Sequence, residues 1–449
     1  MGTAKELNPL DRHTTMKHLG EINRLEMLGV DLSKYTSIEN RVTYDPIISK
    51  FHRDVHWSIL KAHATLAVNR VPDPFILTHI VTTRCNYSCG FCCYADTLNV
   101  KTHELDLEEI EHTYATIGHN LNVIFYSGGE PTLHHYLAEI IEAAYRLTPV
   151  KTVILITNAW KPELIFQLTH RIKQRCPDLH FTWSVSIDGT KPFNNASRYT
   201  QNRGWDAWQN SVDTVEGLKR LRAVFGYQEL DVQVCTVCTP ENEGNLSEWY
   251  HIVKEVLKPD KWALNLMRRS VQMSVNPLPT FAKRRQEASL QPFEQKYIQI
   301  TERIRQDVLS GELRFLFHTK TRREGSLKSA VDLLSQEEIR RILLAQPSTF
   351  CCKAGTIGAF IGSEGEVSGC EEFAYNPLEN KCFGKLKDVE CDFRRIWHSD
   401  TANRYRSMIG TAQECIGCTL EPQRNYPSVL VSVKNLAKAA ALSTKIRDV

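Results

Sequence analysis

The stretch VTTRCNYSCGFCCYAD, residues 81–96, decides how the rest of the chain is read. It follows an apolar run, FILTHIVTT (75–83), of strand type. It then places Cys85, Cys89 and Cys92 at C-x3-C-x2-C spacing, with Cys93 beside them. Structural zinc sites favour four protein ligands. Iron–sulfur clusters take one thiolate per iron, so three thiolates on a four-iron cluster leave one iron open for a substrate or cofactor. The missing fourth cysteine is therefore informative. Cys93 reads as a buried bystander.

Working outward, strand-like and helical patterns alternate. After 75–83 come NVIFYSGG (122–129), KTVILITN (151–158), HFTWSVSIDG (180–189), ELDVQVCTVC (229–238) and KWALNLM (261–267). Amphipathic helical segments separate most of them, a βαβ pattern that predicts a parallel sheet. Six units in about 200 residues predict a partial or full barrel. In such barrels ligands bind at the C-terminal ends of strands, where the cysteine loop falls.

Composition narrows the class. The chain has 449 residues, 42% apolar and 24% charged, with a net charge of +3. That is a globular composition without the basic excess of a nucleic-acid binder. No apolar run reaches the roughly 18 residues of a membrane span. The first residues lack a signal-peptide core, so a cytoplasmic location is expected. Fourteen cysteines in such a chain point to metal or catalytic use rather than disulfides. Four lie at 85–93 and seven between 351 and 418, which predicts two sites. Cys235 and Cys238 fall within a predicted strand and read as core; Cys176 closes a helix.

Together with SGGEPTL (127–133), TNA (157–159), VSIDG (185–189) and NRGWDAWQNSVDTVEGLKRL (202–221), the C-x3-C-x2-C loop with Phe91 before its third cysteine resembles the radical S-adenosylmethionine (SAM) superfamily. TNA stands where that family usually has Thr-Asn-Gly. The resemblance implies a partial (β/α)6 TIM-like barrel and a [4Fe–4S] cluster on Cys85, Cys89 and Cys92 that binds and reductively cleaves SAM. The resulting 5′-deoxyadenosyl radical takes a hydrogen atom from a substrate. For SAM it implies close backbone approach at Gly128 and Gly129, a carboxylate for the ammonium at Glu130, polar contacts from Asn158, Ser186 and Asp188, and a carboxylate partner in Arg198 or Arg203. A reductant such as flavodoxin or ferredoxin is the implied protein partner.

The second cysteine group resembles the SPASM or Twitch extension of that superfamily: Cys352-Lys-Ala-Gly, Gly365-x4-Cys370 and Cys415-x2-Cys418. The resemblance implies one fully ligated auxiliary [4Fe–4S] cluster on Cys352, Cys370, Cys415 and Cys418, with Cys382 or Cys391 as substitutes for one ligand. A four-cysteine zinc ribbon shares this spacing. Cys351 reads as the spare of its pair.

The expected organisation is an N-terminal helical extension (1–74), the barrel (75–289), a helical connector (290–346), a small α+β auxiliary domain (347–425) and a terminal helix (426–449). Segment 51–70 carries an apolar stripe that fits packing on the barrel flank better than a peripheral membrane contact. Basic clusters at Arg268–Arg269, Lys283–Arg285 and Lys320–Arg323 favour an anionic small molecule or lipid-linked substrate over a peptide. A peptide-modifying maturase and a non-catalytic iron–sulfur electron-transfer protein are the alternatives.

Overall fold

The structure is a computed structural model. It describes residues 71–100, 103–200, 205–227, 229–267, 290–313, 322–346, 352–375, 381–412, 415, 418–419, 438 and 441–446. The stripe at 51–70, Arg203, Cys351, the clusters at 268–269 and 283–285 and the side chains of 320–323 lie outside these residues, as does most of 426–449.

Six strands run parallel and in chain order: β1 (Ile76–Thr82), β3 (Val123–Gly128), β4 (Thr152–Thr157), β5 (His180–Ser186), β7 (Leu230–Cys238) and β8 (Lys261–Leu266). They match the six expected runs to within a few residues. Among the described residues β1 and β8 do not pair, so the sheet is a partial barrel. Alternation sorts its two faces. Phe181, Trp183, Val185, Val232 and Val234 are fully buried against the outer helices, and the Trp183 indole donates to Thr169 Oγ1 of helix Pro162–Arg175 at 2.7 Å. Residues of the other parity, such as Ser184, Ser186, Gln233 and Cys235, therefore face the concave side.

The outer helices follow local rules. Helix α1 (Leu107–Thr116) starts with a capping box of Asp106 and Glu109. The helix at Ala207–Phe225 is capped by Asp206 and stops at Gly226, whose φ of 65° favours glycine. The two connector helices, Pro292–Ser310 and Arg322–Leu343, form as expected.

The auxiliary region does not stand apart from the barrel. Strand β9 (Gly358–Ile361) pairs in parallel with β1, and β10 (Glu366–Ser368) and β11 (Gly384–Lys385) extend the same sheet. A partial barrel exposes the edge of its first strand, and β9 covers it. Further ties reinforce the junction: Trp397 Nε1 donates to Pro72 O at 2.9 Å, and Arg394 pairs with Asp73 at 3.0 Å. No helix among the described residues is long and apolar enough to cross a membrane.

Candidate active site

The cysteine loop leaves the C-terminal end of β1. Its first residue is gripped by Asn99, whose amide accepts from Cys85 N at 2.9 Å and donates to Cys85 O at 3.0 Å. Asn99 takes a φ of 57° to do so, a conformation asparagine tolerates better than most residues. Further along, β2 (Ser88–Cys89) pairs antiparallel with β6 (Arg198–Tyr199), so Cys89 sits opposite Arg198. Cys85, Cys89 and Cys92 are all partly buried. Burial, reinforced by the Glu130 charge and by Cys89, pushes Cys85 up to about 12, and burial with the neighbouring thiols raises Cys92 as well. Burial also raises Cys89, and the Arg198 charge opposes that shift.

Gly128 closes β3 and Gly129 follows it, and both pack closely against neighbouring backbone. A Cβ on Gly128 would collide with the Thr82 carbonyl, and one on Gly129 with the Arg84 carbonyl. Gly129 N and Glu130 N donate to those same two oxygens, at 2.8 and 2.7 Å. The close approach is therefore to the chain entering the cysteine loop.

Glu130 is also committed internally. It is 1% exposed and accepts from Thr132 N and Oγ1, Thr157 Oγ1 and Asn158 N, at 3.2, 2.7, 2.8 and 2.6 Å. Its carboxylate ties the SGGEP loop to the end of β4, which occupies most of the capacity expected for an ammonium. Asn158 turns toward the cysteine loop: its amide donates to Asn86 Oδ1 at 2.9 Å and lies 3.9 Å from Cys85 Sγ. Ala159 takes a φ of 56°. Glycine would adopt that conformation without strain, which explains the usual Thr-Asn-Gly.

Asp188 is likewise used within the protein. It is fully buried, accepts from Val237 N at 2.9 Å and pairs with Arg198 Nε at 2.6 Å. Burial alone would lower Arg198; the Asp188 charge outweighs it and holds the guanidinium protonated. Arg198 Nη1 in turn lies 3.9 Å from Cys89 Sγ, and the guanidinium stands over the Phe91 ring, 5.4 Å from its centre. Of the two arginines, Arg198 is thus at the cysteine loop. Ser186 is buried at the end of β5, beside Cys235 in register.

Tyr87, Trp160 and Trp205 were not singled out by sequence. The Trp160 and Trp205 rings lie 5.2 Å apart and Tyr87 is 6.5 Å from Trp205, an aromatic wall beside Asn158.

In the auxiliary region, Ile409 touches the Cβ positions of both Gly355 and Gly369, at 2.9 and 3.1 Å. Those glycines follow Cys352 and precede Cys370. Gly410 N donates to Cys415 Sγ at 3.2 Å. Three cysteine-bearing segments thus meet around one side chain. Arg406 secures them: it donates to the Gly355 and Trp397 carbonyls and stacks on Phe383 and Trp397. Cys391 lies elsewhere, buried against Thr113 of α1. Cys382 packs with Cys93 and Tyr375 between β1 and the auxiliary region. Among the described residues no three His, Cys, Asp or Glu side chains gather tightly enough to grip one bare ion. A four-iron cluster spreads its thiolates over separate irons.

Residues 79–243 match the Radical SAM superfamily, and residues 351–419 match SPASM, an iron–sulfur cluster-binding domain. The chain thus carries a radical SAM domain followed by a SPASM domain. Over 189 residues it is 28% identical to the AdoMet-dependent heme synthase of Methanosarcina barkeri, covering 41% of this chain and 48% of that one. Over 79 residues it is 33% identical to the GTP 3′,8-cyclase of Chlorobaculum tepidum, covering 17% and 24%. The chain thus spans half or less of the length of these relatives. The fold resembles Streptococcus suis SuiB bound to its precursor peptide SuiA, with 16% identity, 91% of this chain and 83% of that one covered, and a TM-score of 0.50.

These two radical SAM and SPASM domains imply a SAM-binding [4Fe–4S] cluster and auxiliary clusters. The donor set of the barrel fits such a group. Three partly buried thiols lie within electrostatic reach of one another, burial opposes their ionisation, and bound iron would supply the positive charge that favours thiolates there.

Proposed function

We propose that this chain is a radical SAM enzyme in which Cys85, Cys89 and Cys92 hold the SAM-binding cluster. The observation that carries this reading is the convergence of these three thiols at the C-terminal end of β1, with Arg198 fixed against Cys89. When bound, cluster and SAM supply a 5′-deoxyadenosyl radical that takes a hydrogen atom from substrate. Arg198, held charged by Asp188, is the cation for the SAM carboxylate. Asn158 and Ser186 line the adjoining strand ends. Gly128, Gly129 and Glu130 shape the cysteine loop by packing and hydrogen bonding, and Glu130 keeps one lone pair for an ammonium. Cys352, Cys370, Cys415 and Cys418 hold one auxiliary [4Fe–4S] cluster.

On β5, β7 and β8 the concave-side parity carries the neutral polar Ser184, Gln233 and Asn265, with His180, Asp231 and Lys261 nearer the strands' N-terminal ends. That supports an uncharged amide- or hydroxyl-bearing group at the reacting end of the substrate, a trait compatible with a peptide. Any anionic portion would bind further out. A low-potential protein such as flavodoxin or ferredoxin is the proposed electron donor.

The test is 5′-deoxyadenosine formation by the reduced, anaerobic, cluster-loaded protein. Its appearance, dependent on SAM and reductant, supports the reading. SAM binding without any cleavage product would overturn it in favour of an electron-transfer role.

A further inference from the structure

Tyr87 stands midway between Cys85 and Cys89 in the C-x3-C spacing. It is 1% exposed, and its ring lies 6.5 Å from that of Trp205. The hydroxyl oxygen is buried as well, yet it has no hydrogen-bond partner among the described residues. Leaving a buried hydroxyl unsatisfied is costly. Phenylalanine would fill the same space without that cost. The hydroxyl therefore points to a partner other than the described side chains.

Its surroundings narrow the choice. The ionisable groups within electrostatic reach of the hydroxyl are Arg198, Glu130, Cys89 and Cys85. Arg198 offers only donors. Glu130 already accepts from Thr132 N and Oγ1, Thr157 Oγ1 and Asn158 N, and its remaining lone pair is the one assigned to an ammonium. The sulfurs are the acceptors left. Neutral thiols accept weakly, whereas thiolates accept strongly. Iron binding requires the thiolate form, so the acceptor that Tyr87 lacks is created when the first site fills. The backbone works in the same sense, since the Tyr87 N–H favours the Cys85 thiolate.

We propose that the Tyr87 hydroxyl donates a hydrogen bond to a sulfur of the SAM-binding cluster and raises its reduction potential. This inference rests on the radical SAM reading above and adds a tuning group to it. Hydrogen bonds to the sulfurs are among the levers that set a cluster's potential. A donor at sulfur stabilises the reduced state more, because that state carries more negative charge. Arg198, whose Nη1 lies 3.9 Å from Cys89 Sγ, acts in the same direction. Burial strengthens the effect, since a hydroxyl away from water donates without competition from solvent.

The experiment compares full-length, cluster-loaded wild type with Tyr87→Phe, which keeps the ring and removes only the hydroxyl. A redox titration followed by EPR reads the midpoint of the signal that responds to SAM, which separates the first cluster from the auxiliary one. Iron per chain should match wild type. The midpoint of the SAM-responsive signal should shift to a more negative potential, while that of the auxiliary signal stays in place. An unchanged or more positive midpoint overturns the proposal. So does loss of about four irons per chain from Tyr87→Phe, which would make the hydroxyl structural rather than tuning. A second readout is independent of potential. ENDOR of the reduced first cluster, reconstituted in H2O and in D2O, should show a strongly coupled exchangeable hydrogen in wild type that Tyr87→Phe lacks; identical couplings in the two proteins would also overturn the proposal. Absence of any SAM-responsive signal from wild type instead overturns the radical SAM reading, and this inference with it.

Discussion

Replacing Asp188 with asparagine removes the partner charge of Arg198 while keeping an acceptor for Val237 N. The side chains of the pair are 0% and 9% exposed and meet at 2.6 Å. Breaking a buried pair from one side leaves an uncompensated charge and costs about 3–5 kcal/mol. Unfolding entropy is about 2.1 cal/mol/K per residue, or roughly 0.9 kcal/mol/K for 449 residues melting as one unit. Asp188→Asn should therefore lower the melting midpoint by about 3–5 °C. Arg198→Met alone leaves Asp188 buried and unpaired, and should also destabilise. The double variant Asp188→Asn/Arg198→Met carries no orphan charge, so it should recover more than half of the loss seen in Asp188→Asn. Melting of all four anaerobic, cluster-loaded proteins at one scan rate completes the cycle. A double variant whose loss equals the sum of the two single losses would show no coupling and refute the buried-pair argument.

Other consequences follow from individual contacts. Burial, reinforced by the His134 charge, holds His79 neutral down to about 3, against 6.5 in the unfolded chain. Its stability contribution is complete above 6.5 and is lost as pH falls toward 3, reaching about 2 kcal/mol of loss by pH 5. His79→Gln should flatten the stability profile between pH 7 and 5; an unchanged slope would assign the acid sensitivity to other groups. Gly129→Ala should lower iron content through loss of the first site, because its Cβ meets a backbone carbonyl, whereas Gly244→Ala, with open space around its Cβ position, should be silent. Equal behaviour of the two would contradict the packing role given to Gly129. Cys418→Ser should lose about four irons per chain and keep SAM binding. Cys391→Ser should keep all iron, and iron loss in that variant would return Cys391 to the ligand set.

The six barrel strands were legible because their β-branched runs recur between helical segments, a local pattern with a definite period. The cysteine spacing was legible for the same reason. Pairings across the chain were not. Nothing local in GAFI (358–361) says that it lies along β1, since that contact depends on an open edge nearly 300 residues earlier. Residue roles within motifs also depended on geometry. Asp188 and Glu130 look like ligand contacts because they are acids at strand ends, yet the fold directs them to Arg198 and to the Thr132, Thr157 and Asn158 donors. Parity alone could have separated Cys235 from Cys238, but not shown which of them the barrel faces. Asn99 gave no signal, as its bond to the Cys85 backbone requires a positive φ that sequence does not display.

The central claim is that Cys85, Cys89 and Cys92 hold the cluster that binds SAM. Iron analysis and SAM binding on the anaerobically reconstituted triple variant, with all three changed to alanine, test it most directly. The account predicts that about four irons per chain remain, on the auxiliary cysteines, and that SAM binding is lost. Iron equal to wild type, or SAM bound as before, would contradict it.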